Sequence, residues 1–110
     1  MPGSPLRGVT VLVIDDHLDT LEVVERALEH AGARVIAAPS IDAGLRFRDR
    51  EPVDLVLCDP AMLEAILARL RGRRDAERDA PVLAVRKPIA PETVIAQVAH
   101  LARRSERVAG

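Results

Sequence analysis

Apolar residues fall along the chain in two alternating rhythms, continuous short runs and stripes that recur every three or four positions. Val9 to Ile14 (VTVLVI) is a run of strand length rich in β-branched residues, as expected of a strand buried on both faces of a parallel sheet. Asp15 and Asp16 end it. Leu18, Leu21, Val24 and Leu28 then mark an amphipathic helix. Asp19 and Glu22 stand at capping-box spacing at its start, and Gly32 is a natural stop. Arg34 to Ala38 (RVIAA) reads as a second strand. Ser40 can cap a second helix to about Arg50, with Ile41, Leu45 and Phe47 inward. Val53 to Cys58 (VDLVLC) is a third strand, closed by Asp59. Met62 to about Arg74 returns to helical spacing through Leu63, Ile66, Leu67 and Leu70, followed by a charged loop to Ala80. Pro81 to Val85 (PVLAV) is a fourth strand, and Pro91-Glu92 opens a last helix with the stripe Val94, Ile95, Val98 and Leu101.

Strands alternating with helices predict βαβ units with right-handed crossovers, hence an α/β fold with one parallel sheet between two helical layers. Residues 1–8 read as a flexible leader, 9–104 as one domain and 105–110 as a flexible tail.

Composition narrows the function classes. The 110 residues are 48% hydrophobic and 30% charged, which suits a soluble folded domain. A net charge of -1 gives no general pull toward nucleic acid or an anionic membrane. Phe47 is the lone aromatic, so base-stacking platforms are excluded. No apolar run reaches membrane-spanning length, and the start is not a signal peptide. One cysteine, Cys58, reads as a small core residue in a reduced, cytoplasmic compartment. No phosphate-cradling glycine loop and no nucleophile triad is present.

The chemistry-bearing residues sit at strand ends. Asp15 and Asp16 follow the first strand, Asp59 the third and Lys87 the fourth. Ligands of open α/β sheets bind outside the carboxyl ends of the strands. In the order 2-1-3-4, the first and third strands are neighbours, so three carboxylates and one ammonium converge. Like charges so placed need an offsetting cation. Mg²⁺ suits the oxygen donors of Asp15, Asp16 and Asp59. Any one of these acids alone would be only a helix cap, and Lys87 would serve equally as a structural partner of Asp59. His17, His30 and His100 read as surface residues.

VLVIDD at 11–16, DLVLCD at 54–59 and Lys87-Pro88, in that order, resemble the receiver domains of two-component response regulators, from about Val9 to Leu101. The resemblance implies a three-layer flavodoxin-like (CheY-like) fold. It implies that Asp59 accepts phosphate from a sensor histidine kinase or phosphotransfer protein, that Asp15, Asp16 and Asp59 bind Mg²⁺, and that Lys87 pairs with Asp59 and then with the phosphoryl group. The Lys87-Pro88 bond is often cis in such domains.

The chain also departs from the family. Arg86 and Lys87 follow Val85 directly, leaving no room for the crossover that a further parallel strand requires. The family's fourth helix, one strand and a switching aromatic are therefore missing, and four strands are expected. Arg86 stands where the family has a Ser or Thr; it can fork onto phosphate oxygens or pair permanently with Asp59. The expected function is an atypical, stand-alone receiver in phosphorelay signalling that acts on a downstream protein and is not an enzyme beyond self-phosphorylation and dephosphorylation. The alternative is a phosphorylation-independent pseudo-receiver, an interaction module. A metal-dependent phosphatase is disfavoured, because no separate acid-base group is evident. The truncated sheet edge suggests a homodimer.

Overall fold

The computed structural model describes residues 4–71 and 80–109, with side chains described as far as Arg103. Four parallel strands form one sheet: β1 (Thr10–Ile14), β2 (Arg34–Ala38), β3 (Leu55–Cys58) and β4 (Val82–Ala84), in the order β2-β1-β3-β4. The helices are α1 (Leu18–His30), α2 (Ile41–Arg50), α3 (Leu63–Arg71) and α4 (Pro91–Ala109), with a 3₁₀ turn at Pro60–Met62. This is the expected three-layer flavodoxin-like architecture with four strands.

Alternation along the strands divides the core. Val11, Val13, Leu55, Leu57 and Val85 pack with Leu21, Val24 and Leu28 of α1 and Val94, Val98 and Ala102 of α4. Leu12, Ile14, Ala38, Val56 and Cys58 pack with Leu45 of α2 and Ile66 and Leu70 of α3. The two central strands are buried on both faces, which is why they read as unbroken apolar runs.

Several local expectations change. Leu6 is fully buried and its N–H donates to the Ala31 carbonyl at 3.0 Å, so the packed domain begins inside the proposed leader. The N-cap of α1 is His17, with Asp19 inside the first turn, so the Asp19–Glu22 box does not form. β3 begins at Leu55 because the Asp54 carboxylate takes the Thr10 N–H at 2.8 Å. Phe47 is 40% exposed: two residues beyond Leu45, it lies on the opposite side of α2. Leu18, in the first turn of α1, is 68% exposed. α4 continues to Ala109, past the expected fraying point. The predicted end of α3 beyond Arg71, and most of the charged loop after it, lie outside the described residues.

Ser40 caps α2 as expected, its hydroxyl accepting from the Ala43 N–H at 3.1 Å. Gly44, one turn on, lets α2 approach β1 closely. A Cβ there would stand 2.5 Å from Ile14 Cδ1 and 2.7 Å from its Cγ1. Ile14 is fully buried and stiff at χ1, so it has little freedom to yield. Gly44→Ala gains about 1 kcal/mol of helix propensity but overpacks the contact at a cost of about 1–3 kcal/mol. The expected outcome is a net loss of about 1 kcal/mol in urea denaturation at unchanged m.

Candidate functional site

Register brings the acids together. Ile14 pairs with Cys58, and Cys58 pairs with Ala84. The next residues, Asp15, Asp59 and Val85, therefore leave the sheet side by side. Their N–H groups continue the ladder, to Ala38 O, Ile14 O and Cys58 O respectively. Asp15 and Asp59 share the strand parity of Val13 and Leu57. Asp15 continues the α1/α4 side, where it stands among Val13, Thr20, Leu57 and Val85.

The carboxylates are held differently. The Asp15 side chain is 7% exposed, and its Oδ1 accepts the His17 N–H at 2.8 Å. This bond ties the acid to the start of α1. The Asp59 side chain is 15% exposed, and that of Asp16 is 61% exposed. Asp59 occupies the N-cap position of the 3₁₀ turn, but its carboxylate makes no capping bond. Its backbone carbonyl accepts the Met62 N–H instead. A capping role thus does not account for the Asp59 side chain.

Lys87 reaches the acids from the β4–α4 connection. Its Nζ lies 3.5 Å from Asp15 Oδ2 and 3.9 Å from Asp59 Oδ1. The Lys87-Pro88 bond is cis. Arg86 is exposed and takes no part in these pairs; the cation beside Asp59 is Lys87, so the permanent Arg86–Asp59 pair considered from sequence does not form.

The sequence reading missed His17. Its ring is 63% exposed, yet Nδ1 stands 3.2 Å from Asp15 Oδ1, 3.0 Å from Asp16 Oδ1 and 3.1 Å from Lys87 Nζ. One ligand atom from each of Asp15, Asp16, His17 and Asp59 lies within 4.8 Å of the others. The available signal was position: an N-cap residue two places after a buried acid can fold its ring back onto it. His30 and His100 are exposed, as expected.

Among the described residues, three carboxylates face one ammonium, so negative charge is in excess in the hollow. Oxygen donors with that excess fit a hard divalent cation. Cys58, beneath the acids, reports the same field. Burial first, then the charges of Asp59 and Asp15, push its thiol up to about 11.

Among solved structures, the chain is similar to the response regulator PhyR from Brucella abortus, with TM-score 0.76 and 20% identity over 96% of this chain and 53% of that one. A response regulator from Thermotoga maritima gives TM-score 0.67 and 24% identity over 86% and 98% of the two chains. The chemotaxis response regulator CheY4 of Vibrio cholerae gives 0.67 and 19% over 84% and 98%. The fold is that of response-regulator receiver domains. Among curated proteins, 58 residues are 38% identical to the virulence sensor protein BvgS of Bordetella pertussis, covering 53% of this chain and 5% of that protein. The matched segment is thus about a twentieth of the length of that relative. No protein-family model matches the chain.

The raised thiol gives a direct check. Because the folded state holds the Cys58 proton more tightly than the unfolded chain does, stability contributed by the protonated thiol is complete below pH 9 and falls as pH rises toward 11. Iodoacetamide at pH 8 is expected to leave Cys58 unmodified in the native protein and to label it rapidly in urea, as read by intact mass.

Proposed function

We propose that this chain is an atypical receiver domain of two-component phosphorelay signalling, with Asp59 as phosphoacceptor. The observation that carries this reading is the convergence of Asp15, Asp16 and Asp59 at the carboxyl ends of β1 and β3, with Lys87 3.9 Å from Asp59. The receiver-domain fold supports it, as does the short match to a sensor protein. A small phosphate donor or a kinase phosphohistidine would be the source of the group.

Asp59 suits the nucleophile's role because its carboxylate is reachable and unused for capping. One of its oxygens forms the new bond to phosphorus as the bond from phosphorus to the donor breaks, and the donor leaves with the electron pair. Asp15, Asp16 and Asp59 would hold Mg²⁺, which when bound offsets negative charge on the phosphoryl oxygens. Asp15, fixed by the His17 N–H, holds the rim of the hollow rigid. The Lys87 ammonium, shared between Asp15 and Asp59 at rest, pairs with the phosphoryl group once Asp59 carries it. Arg86, exposed at the same sheet end, is the side chain available to grip phosphoryl oxygens where relatives use a hydroxyl. The output is a protein contact with a downstream partner, and the chain acts as a phosphoacceptor rather than as an enzyme. The compartment is cytoplasmic; among the described residues no helix is long and apolar enough to cross a membrane.

The phosphorylation-independent pseudo-receiver is the second reading. It is favoured by Val85 and Arg86 at the end of β4, which offer no hydroxyl there. Incubation with Mg²⁺ and an acyl phosphate, followed by intact-mass measurement, separates the two. The expected result is a single phosphate adduct that disappears in Asp59→Asn and falls severalfold in Lys87→Ala. An unmodified wild-type protein selects the pseudo-receiver.

The sheet edge favours self-association. Among the described residues β4 has one strand neighbour, and Leu83 lines an apolar groove of about 590 Å³ with Ala96 and Leu101 of α4. An apolar edge that pairs with nothing is a template for a second copy. Sedimentation is expected to show a dimer at micromolar concentration, and Leu83→Lys is expected to shift it to monomer; a wild-type monomer throughout removes the proposal.

A further inference from the structure

The outer edge of β4 is open in one fixed pattern. Pro81 O accepts from the Val56 N–H, and the Val85 N–H donates to Cys58 O, each at 2.9 Å, so the odd-numbered residues of this stretch face β3. Alternation along the strand then turns the N–H and C=O groups of Val82 and Ala84 outward. Among the described residues no strand stands on that side. The Leu83 side chain lies on the α1/α4 face of the sheet, while Val82 and Ala84 lie on the α2/α3 face. Beside Leu83 runs the groove of about 590 Å³, lined along α4 by Glu92, Ala96 and His100 in successive turns.

Resting on the self-association read from this edge, we infer that the groove is covered by the same groove of a second copy, joined by antiparallel β4–β4 pairing about a two-fold axis at Leu83. The outward groups set that register. With the axis at Leu83, Val82 stands opposite Ala84 of the second copy, and each such pair exchanges both of its hydrogen bonds. An axis at Val82 or at Ala84 would set one of them against itself and carry the other past the end of the facing strand. Leu83 then occupies the non-hydrogen-bonded position opposite its own copy, where side chains stand closest. The axis is perpendicular to the joined sheet, so both α4 helices lie on one face and run antiparallel. Glu92 and His100 are equally spaced on either side of Ala96. Glu92 of each copy therefore faces His100 of the other across the joined grooves, an imidazole N–H donating to a carboxylate. The surface is complementary to itself in backbone hydrogen bonds, in apolar contact at Leu83 and in the acid–imidazole pairs. An isologous contact of this kind closes at two copies.

The test combines sedimentation of the full chain with cysteine cross-linking and a charge exchange. Opposed residues at the Leu83 position have Cα atoms about 4.5 Å apart, within disulfide range. Leu83→Cys is therefore expected to give a covalent dimer under diamide on a non-reducing gel. Val82→Cys is not expected to, because its copy stands two residues away along the strands, and neither is the wild type, whose Cys58 is buried. His100→Glu sets carboxylates against each other twice by symmetry and is expected to weaken the dimer about tenfold. Adding Glu92→Lys to it restores the wild-type dissociation constant. Glu92 and His100 are exposed, so this series decides alone if circular dichroism shows Leu83→Cys unfolded. A wild-type dimer whose folded Leu83→Cys variant stays uncross-linked, or in which the charge exchange restores nothing, overturns this interface and leaves edge association standing. Species that grow beyond two copies overturn the two-fold closure. A wild-type monomer throughout overturns the inference together with the self-association beneath it.

Discussion

Uncompensated charge at one end of the sheet is the constraint around which this molecule is arranged. Asp15, Asp16 and Asp59 stand within reach of one another while Lys87 supplies a single positive charge. The acids cannot relax apart, because Asp15 and Asp59 each follow a strand fully paired to the other through Val11–Ile14 and Leu55–Cys58. The hydrophobic cores on both faces fix those strands. Burial of Leu12, Ile14, Val56 and Leu57 thus sustains an electrostatic arrangement that the carboxylates by themselves would disperse.

That arrangement shows how a shortened chain keeps the site. The parallel pairs β1–β3 and β3–β4 suffice to place Asp15, Asp59 and Lys87. A strand beyond β4 would add nothing to that convergence; it would cover the outer edge of β4 and the groove beside α4. The missing strand therefore falls on the outer edge of β4, and Asp15, Asp59 and Lys87 still converge. Val85 and Arg86 lie instead at the hollow's end of β4, Val85 beside Asp15 and Arg86 exposed.

Much of this was legible in the sequence because burial leaves periodic marks. The doubly buried strands read as continuous apolar runs, and strand-end acids in an α/β pattern point to one crevice. What escaped was set by local geometry that hydropathy does not record. Leu6 lies in a Pro- and Gly-rich stretch with no periodicity, yet it is fully buried beside Ala31. Asp19 and Glu22 match a capping box in spacing, but the helix starts earlier because Asp15 anchors the His17 N–H. His17 looked like a surface residue and is one by exposure; only the backbone path shows that its ring folds back over the acids. Gly44 leaves no mark in the hydropathy pattern, and its reason is a side chain on another element, Ile14.

The connection between β4 and α4 has a mechanical side. Lys87 is separated from Pro91, where α4 begins, by Pro88, Ile89 and Ala90, and Ile89 is itself wedged against the α1/α4 core. So brief a tether has little slack. A displacement of the ammonium tip that is transmitted to its backbone has almost nowhere to dissipate before it tugs on the helix that walls the groove, and pressure on that wall travels back along the same cord.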